Sequence, residues 1–321
     1  MLITIISAEH SLRSKWVREY FASKGDEVKM ISVNTSSVHS FFAKIHFLKQ
    51  LRKSLDALSP NLIYCDATID FLMRELTVYK NKNNNVKLVF DVCDDIHVDQ
   101  KYLNQADYIF CASELGRGHI HGAHILYSTN GQSCLNTSPE LSNEELFFCL
   151  IGNKNIDMNF CVSFLRECSI LKKCTLHILG DWKLKESFIQ SVLSVGVNVI
   201  DHKDLDSQST RQEVYDQCHY GLNLMDFEGI NSESLEYMCG QIPIINSIEG
   251  DLSQFCKLWD IGKNIDAQNY KIVASNICAE SLDVQLNRRL HIRNLYKTYF
   301  TKDKFFETLV FETLDEIGGS L

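Results

Sequence analysis

The sequence predicts an α/β protein made of two Rossmann-like, doubly wound domains facing a cleft, closed by a helical C-terminal tail. Three observations predict it. Short apolar, β-branched runs alternate with helix-period segments along nearly the whole chain, which is the βαβ rhythm of parallel sheets. The stretch 128–145, STNGQSCLNTSPELSNEE, breaks that rhythm with polar residues, an Asn-Gly and a Ser-Pro, and reads as a linker. The length of 321 residues suits two domains of roughly 100–200 residues, each able to bury its own core. The expected division is 1–135 and 136–321.

In the first half the apolar runs place strands at 2–6 (LITII), 27–32, 61–65, 87–92, 107–112 and 123–127, with helices between them at 11–24 and 41–58. The second of these helices is closed by Ser59-Pro60, a pairing that ends helices. In the second half strands are expected at 146–151 (LFFCLI), 174–179, 197–200, 220–224 and 242–246. Helices are expected at 157–171, 183–195, 208–218 and 232–239, and from about 269 onward the apolar spacing is helical throughout. Ligands of doubly wound sheets bind beyond the C-terminal ends of the strands, so the cleft between the domains is the expected site.

Composition excludes several classes. The 41 acidic against 32 basic residues leave a formal charge of −9, which argues against nucleic acid as a partner. None of the 12 cysteines forms a C-x-x-C pair, so a zinc ribbon is not expected, and the cysteines read as reduced, buried thiols. The start MLITIISAEH lacks a cationic n-region and no run approaches eighteen apolar residues, so a cytoplasmic protein is expected. The segment 41–58, FFAKIHFLKQLRKSLDAL, admits two readings. It is a layer helix of imperfect register, or it makes peripheral contact with the inner face of a membrane, its lysines snorkelling from an apolar arc.

The most informative stretch is Tyr220 to Gly250, YGLNLMDFEGINSESLEYMCGQIPIINSIEG. A strand enters a loop, the loop enters a helix capped by Asn231 or Ser232, and the helix stops at Cys239-Gly240 before another strand. The backbone N–H groups of residues 232–234, Glu233 among them, would then face an anion such as a diphosphate. Glu228 precedes the helix and Glu236 lies one turn inside it, so two carboxylates flank that anion site and can accept from sugar hydroxyls.

The segment resembles the donor-site signature of GT-B-fold glycosyltransferases of the retaining family 4 type, E-x7-E followed by an A-x-G-x-P-V-I-like turn. Glu228-Gly229 through Glu236 match its first part, and Gly240-Gln241-Ile242-Pro243-Ile244-Ile245, with two residues between Gly and Pro, resembles its second. The resemblance implies that Glu228 binds the transferred sugar at its reacting face and Glu236 the nucleotide ribose. It places Gly152 in the first loop of the second domain, Lys154 beside the diphosphate, and Gly180-Asp181 at the turn that approaches the nucleotide base. In the first half, ADYIFCAS at 106–113 and the Asn130-Gly131 pair resemble the same family. The chain departs from its relatives in three places: Ser7-Ala8-Glu9-His10-Ser11 contains no Gly, Lys154 stands without an Arg, and Cys93-Asp94 replaces a frequent His-Asp. The run Asp91, Asp94, Asp95 and Asp99 ends a strand and either meets acceptor hydroxyls, which makes Asp94 the second catalytic candidate, or is a solvated acidic loop.

The resemblance implies transfer of a sugar from a nucleotide-sugar donor to a glycan, lipid-linked or protein-linked acceptor in surface polysaccharide or glycoconjugate synthesis. Retention of configuration, no metal and no cofactor are implied with it. The departures motivate an alternative, a catalytically silent subunit that binds a nucleotide sugar or a partner enzyme. Asp204-Leu-Asp206 matches the D-x-D metal motif of a different transferase fold but stands too late in the chain for it, and His119, His121 and His124 lack a neighbouring Cys or carboxylate to complete a metal site.

Overall fold

The structure, a computed structural model, describes residues 1–8, 11–34, 38, 40–67, 69–92, 99–111, 125–127, 135, 137–152, 156–202, 208–225 and 231–308. It is α/β with two parallel six-stranded sheets flanked by helices. The chain separates into two compact units, one of residues 1–130 joined by the segment that starts at Lys302, the other of residues 131–301.

In the first unit the strands are β1 (Leu2–Ala8), β2 (Glu27–Val33), β3 (Leu62–Asp66), β4 (Lys87–Val92), β5 (Tyr108–Cys111) and β6 (Ile125–Tyr127), in the order β2-β1-β3-β4-β5-β6. All pair in parallel. Every residue of β3 is buried, as expected of a central strand covered on both faces. One face carries Ile63, Cys65, Leu88 and Phe90, the other Ile5, Leu62, Tyr64 and Val89.

Helices α1 (Leu12–Ser23), α2 (Phe41–Leu58), α3 (Asp70–Lys82) and α4 (Gln100–Leu103) connect these strands. Arg13 of α1 reaches into the apolar layer and makes a two-pronged ion pair with Asp91, Nε to Oδ2 at 2.7 Å and Nη2 to Oδ1 at 2.7 Å. The Tyr64 hydroxyl donates to the same carboxylate. Burial pushes the Asp91 carboxyl up while Arg13 and Tyr64 pull it down. Only Leu51 and Leu55 of α2 are fully buried, while Phe41, Phe42 and Ile45 at its start are 72%, 81% and 48% exposed. Among the described residues no helix is long and apolar enough to cross a membrane.

The second unit has β7 (Glu145–Ile151), β8 (Lys173–Leu179), β9 (Asn198–Asp201), β10 (Tyr220–Asn223), β11 (Ile244–Asn246) and β12 (Gly262–Asn264), in the order β12-β11-β10-β7-β8-β9. Its helices are α5 (Met158–Leu171), α6 (Lys185–Ser194), α7 (Gln208–Gln217), α8 (Ser232–Cys239), α9 (Asp251–Trp259), α10 (Tyr270–Ala279) and α11 (Leu282–Tyr299). The chain runs outward from β7 to β9, then returns to lay β10 on the other side of β7, so the strand order reverses between β7 and β10. A stack of rings crosses one face of the outgoing strands. Phe147 lies between His219, 6.1 Å away, and His177, 5.8 Å away, and His177 stacks on His202 at 5.1 Å.

The last described helix, α12 (Lys302–Thr308), belongs to the first unit. The sequence division gave the whole tail to the second domain. Here Phe305 instead packs on Trp16 at 5.5 Å and Lys302 pairs with Glu19 at 2.5 Å. Helical spacing shows that a segment is helical but not which core its apolar face enters, which explains the difference. The ten described cysteines are free thiols, nine of them buried.

Candidate functional site

The candidate site forms where strand order reverses, at the C-terminal ends of β7, β8 and β10, the position at which open α/β sheets bind ligands. Gly152 follows β7, and its N–H donates to Leu179 O at 2.8 Å. A Cβ there would stand 1.9 Å from the Trp182 ring, so only glycine lets the ring lie on this loop. Gly180, after β8, has φ +88, a left-handed value that favours glycine. Asp181 beside it is exposed. Lys185, only 5% exposed, holds this turn from beneath: its Nζ donates to Gly180 O at 2.8 Å and pairs with Asp201 at 2.5 Å.

After β10 the chain reaches α8, whose N-cap is Asn231. The Asn231 Oδ1 accepts from Ser234 N–H at 3.2 Å, and its Nδ2 donates to Asn223 Oδ1 at 2.9 Å. That bond begins a chain of amides across three strand ends, buried as far as Asn246. Asn223 donates to Asn246 Oδ1 at 3.3 Å, and Asn246 donates to Asn264 Oδ1 at 2.8 Å. The three strand asparagines are register partners on β10, β11 and β12. The cap is thus tied to the sheet, and it takes the Ser234 N–H out of the set of amides expected to face an anion. Ser232 is exposed and donates from its Oγ to Glu233 Oε2 at 3.1 Å. The Glu233 carboxylate in the first turn already complements the positive end of the helix dipole.

Tyr237 anchors α8 over the strand reversal. Its hydroxyl accepts from Ile151 N–H at 2.8 Å and donates to Leu222 O at 3.1 Å, bridging β7 and β10. Gly221 makes room for its ring, since a Cβ there would lie 2.5 Å from Cδ1. One residue earlier, Glu236 turns its side chain to α7. Its Oε1 accepts from Tyr215 Oη at 2.5 Å and from Arg211 Nη1 at 2.8 Å. The next turn does not have the backbone that its sequence suggests: Gly240 has φ −78, and Gln241 is the left-handed residue, at φ +58.

The structure places Gly152 after β7, Gly180 and Asp181 after β8, and Asn231, Ser232, Glu233 and Glu236 in the cap and first turns of α8, which follows β10. Glu228, Gly229, Lys154 and Asp94 lie outside the described residues, as do Asp204, Asp206, His119, His121 and His124. Among the described residues no group of three His, Cys, Asp or Glu side chains is placed to hold a metal ion. Sequence reasoning missed Lys185, Arg211 and Tyr215. Lys185 offered a weak signal, a lysine one turn beyond a Gly-Asp turn; the other two offered none.

No family model matches the chain, and no curated protein matches it. Solved structures do. The apo form of the lipopolysaccharide outer core galactosyltransferase WaaB is 14% identical, covers 100% of this chain and 99% of its own, and superposes with a TM-score of 0.70. HepE of Anabaena in complex with UDP and glucose is 11% identical over 100% of both chains, with a TM-score of 0.67. MurG of Acinetobacter baumannii is 7% identical over 99% of both, with a TM-score of 0.64. What the chain shares with these proteins is the GT-B fold, at full length.

Proposed function

We propose that the protein is a glycosyltransferase that takes a sugar from a uridine diphosphate sugar and passes it to a glycan, lipid-linked or protein-linked acceptor in surface polysaccharide or glycoconjugate synthesis. The observation that carries this reading is the capped N-terminus of α8 and the Glu236 carboxylate, both tied to the reversal point of the second sheet. The uridine base is supported by similar folds solved with that nucleotide, HepE with UDP and glucose, and the pneumococcal O-GlcNAc transferase GtfA with UDP and GlcNAc.

In this reading the second domain holds the donor. Gly152 and the Gly180-Asp181 turn let the nucleotide approach the backbone, and Glu236 accepts from the ribose. The first turn of α8, at Asn231, Ser232 and Glu233, supplies backbone N–H groups to the leaving diphosphate, with Lys154 adding positive charge. Preorganised donors of this kind stabilise charge as it develops. Glu228, followed by Gly229, positions the sugar at its reacting face. The first domain takes the acceptor, with Asp94 toward its hydroxyl. Transfer retains configuration and needs no divalent metal. The protein works in the cytoplasm, and the exposed Phe41, Phe42 and Ile45 beside Lys44 and Lys49 support peripheral contact with an anionic membrane surface.

The test is turnover of UDP-glucose, UDP-galactose and UDP-GlcNAc against a glycan and a lipid-linked acceptor pool, with and without EDTA, beside the Glu228→Ala variant. Transfer that survives EDTA and is lost in Glu228→Ala supports the reading. Donor binding without transfer to any acceptor, unchanged in that variant, leaves the silent subunit instead. Sedimentation with anionic vesicles that is unchanged by Phe42→Ser removes the membrane contact.

A further inference from the structure

Glu236 is held by two donors from a neighbouring helix. Its side chain is 30% exposed, yet both of its described partners converge on one oxygen, Oε1, and come from α7 rather than from its own helix. Tyr215 is fully buried. Its ring occupies the space that a side chain at Gly240 would need, with Cδ2 at 2.5 Å from where that Cβ would sit. Its backbone carbonyl accepts from Arg289 Nη2 at 2.8 Å, so the phenol is fixed at both ends. Burial, with the negative groups around it, pushes the Tyr215 phenol up, which keeps it a hydrogen-bond donor. Arg211 adds a charge-assisted bond from the solvent side.

Two donors on one oxygen remove the rotation by which a carboxylate exchanges its oxygens. Oε2 has no hydrogen-bond partner among the described residues, and its two lone pairs suit a pair of adjacent hydroxyls. We propose that Tyr215 and Arg211 are positioning residues that lock Glu236 toward a vicinal diol and so set the discrimination between ribose and deoxyribose in the bound nucleotide. This rests on the reading of Glu236 as the ribose ligand. A site built to accept from a hydroxyl rejects the analogue that lacks it, because the bound nucleotide covers the acceptor and leaves it without its donor.

The experiment is calorimetric titration of the full chain with UDP and with 2′-deoxy-UDP, for the wild type and for Glu236→Gln, Tyr215→Phe and Arg211→Met. The wild type is expected to bind UDP roughly tenfold more tightly than the deoxy form, the size of one hydrogen bond to a charged group. All three variants are expected to bring that ratio close to one. A general loss of fold weakens both ligands together and leaves the ratio alone, so the ratio reports orientation. If Glu236→Gln preserves the ratio, or the wild type binds neither nucleotide, the donor reading fails and takes this proposal with it. If Glu236→Gln abolishes the ratio while Tyr215→Phe and Arg211→Met keep it, the donor reading stands and the positioning role is overturned. Should Tyr215→Phe bind neither ligand, the Arg211→Met ratio decides.

Discussion

Gly240 shows how much a single residue can conceal. It stands in the turn of the E-x7-E motif, where a glycine reads as a backbone requirement. Its φ of −78 is open to any residue, and the left-handed position belongs to Gln241. The requirement is space for the Tyr215 ring. Gly240→Ala should therefore push that ring back, at about 1–3 kcal/mol for overpacking a filled core, and lift its hydroxyl from Glu236. A urea midpoint equal to that of the wild type would show that the ring yields without cost. The sequence cannot reveal this, because Tyr215 and Arg211 lie 21 and 25 positions before Glu236, on another helix whose pattern speaks only of its own burial. Asn231 was legible for the opposite reason: a cap acts on the residues just after it.

The same contrast holds for whole elements. LITII, LFFCLI and IPIIN declare themselves as strands because β-branched and aromatic runs fit a sheet covered on both faces. β12, Gly262-Lys263-Asn264, carries no such run, and only its pairing to β11 and the bond from Asn246 to Asn264 make it a strand. The ring stack over β7, β8 and β9 was equally hidden, since its histidines meet only through the register of the sheet. Its consequence is a dependence on pH. Burial pulls both His177 and His219 down to about 4, whereas an unfolded histidine titrates near 6.5. Between those values the unfolded chain binds more protons than the folded one, so stability falls as pH drops through that window. Each histidine contributes up to about 3 kcal/mol of this loss. Urea midpoints at pH 7.0 and 4.5 measure it, and His177→Phe should flatten the slope; a slope that the substitution leaves intact would place its origin elsewhere.

At the scale of the molecule the formal charge of −9 and the two separate cores were legible from composition and rhythm, but the path of the tail was not. After α11 the chain leaves the second unit, and α12 joins the first through Phe305. That side chain is 1% exposed; it packs on Trp16 and Phe110, and the Arg13 guanidinium lies 5.1 Å from its ring. It therefore helps to cover the buried Arg13–Asp91 pair, whose charges would otherwise gain access to water on one side. Phe305→Ala should destabilise the first unit by about 3–5 kcal/mol, the range for truncating a buried aromatic side chain. The second unit keeps its own core and should hold its midpoint. The three tryptophans allow the two to be followed separately, since Trp16 lies in the first unit and Trp182 and Trp259 in the second. In single-tryptophan versions of the chain, Phe305→Ala should lower the thermal midpoint reported by Trp16 and leave those reported by Trp182 and Trp259 in place. An equal shift at all three would mean that the units unfold as one, and that α12 stabilises the whole chain rather than the half it docks on.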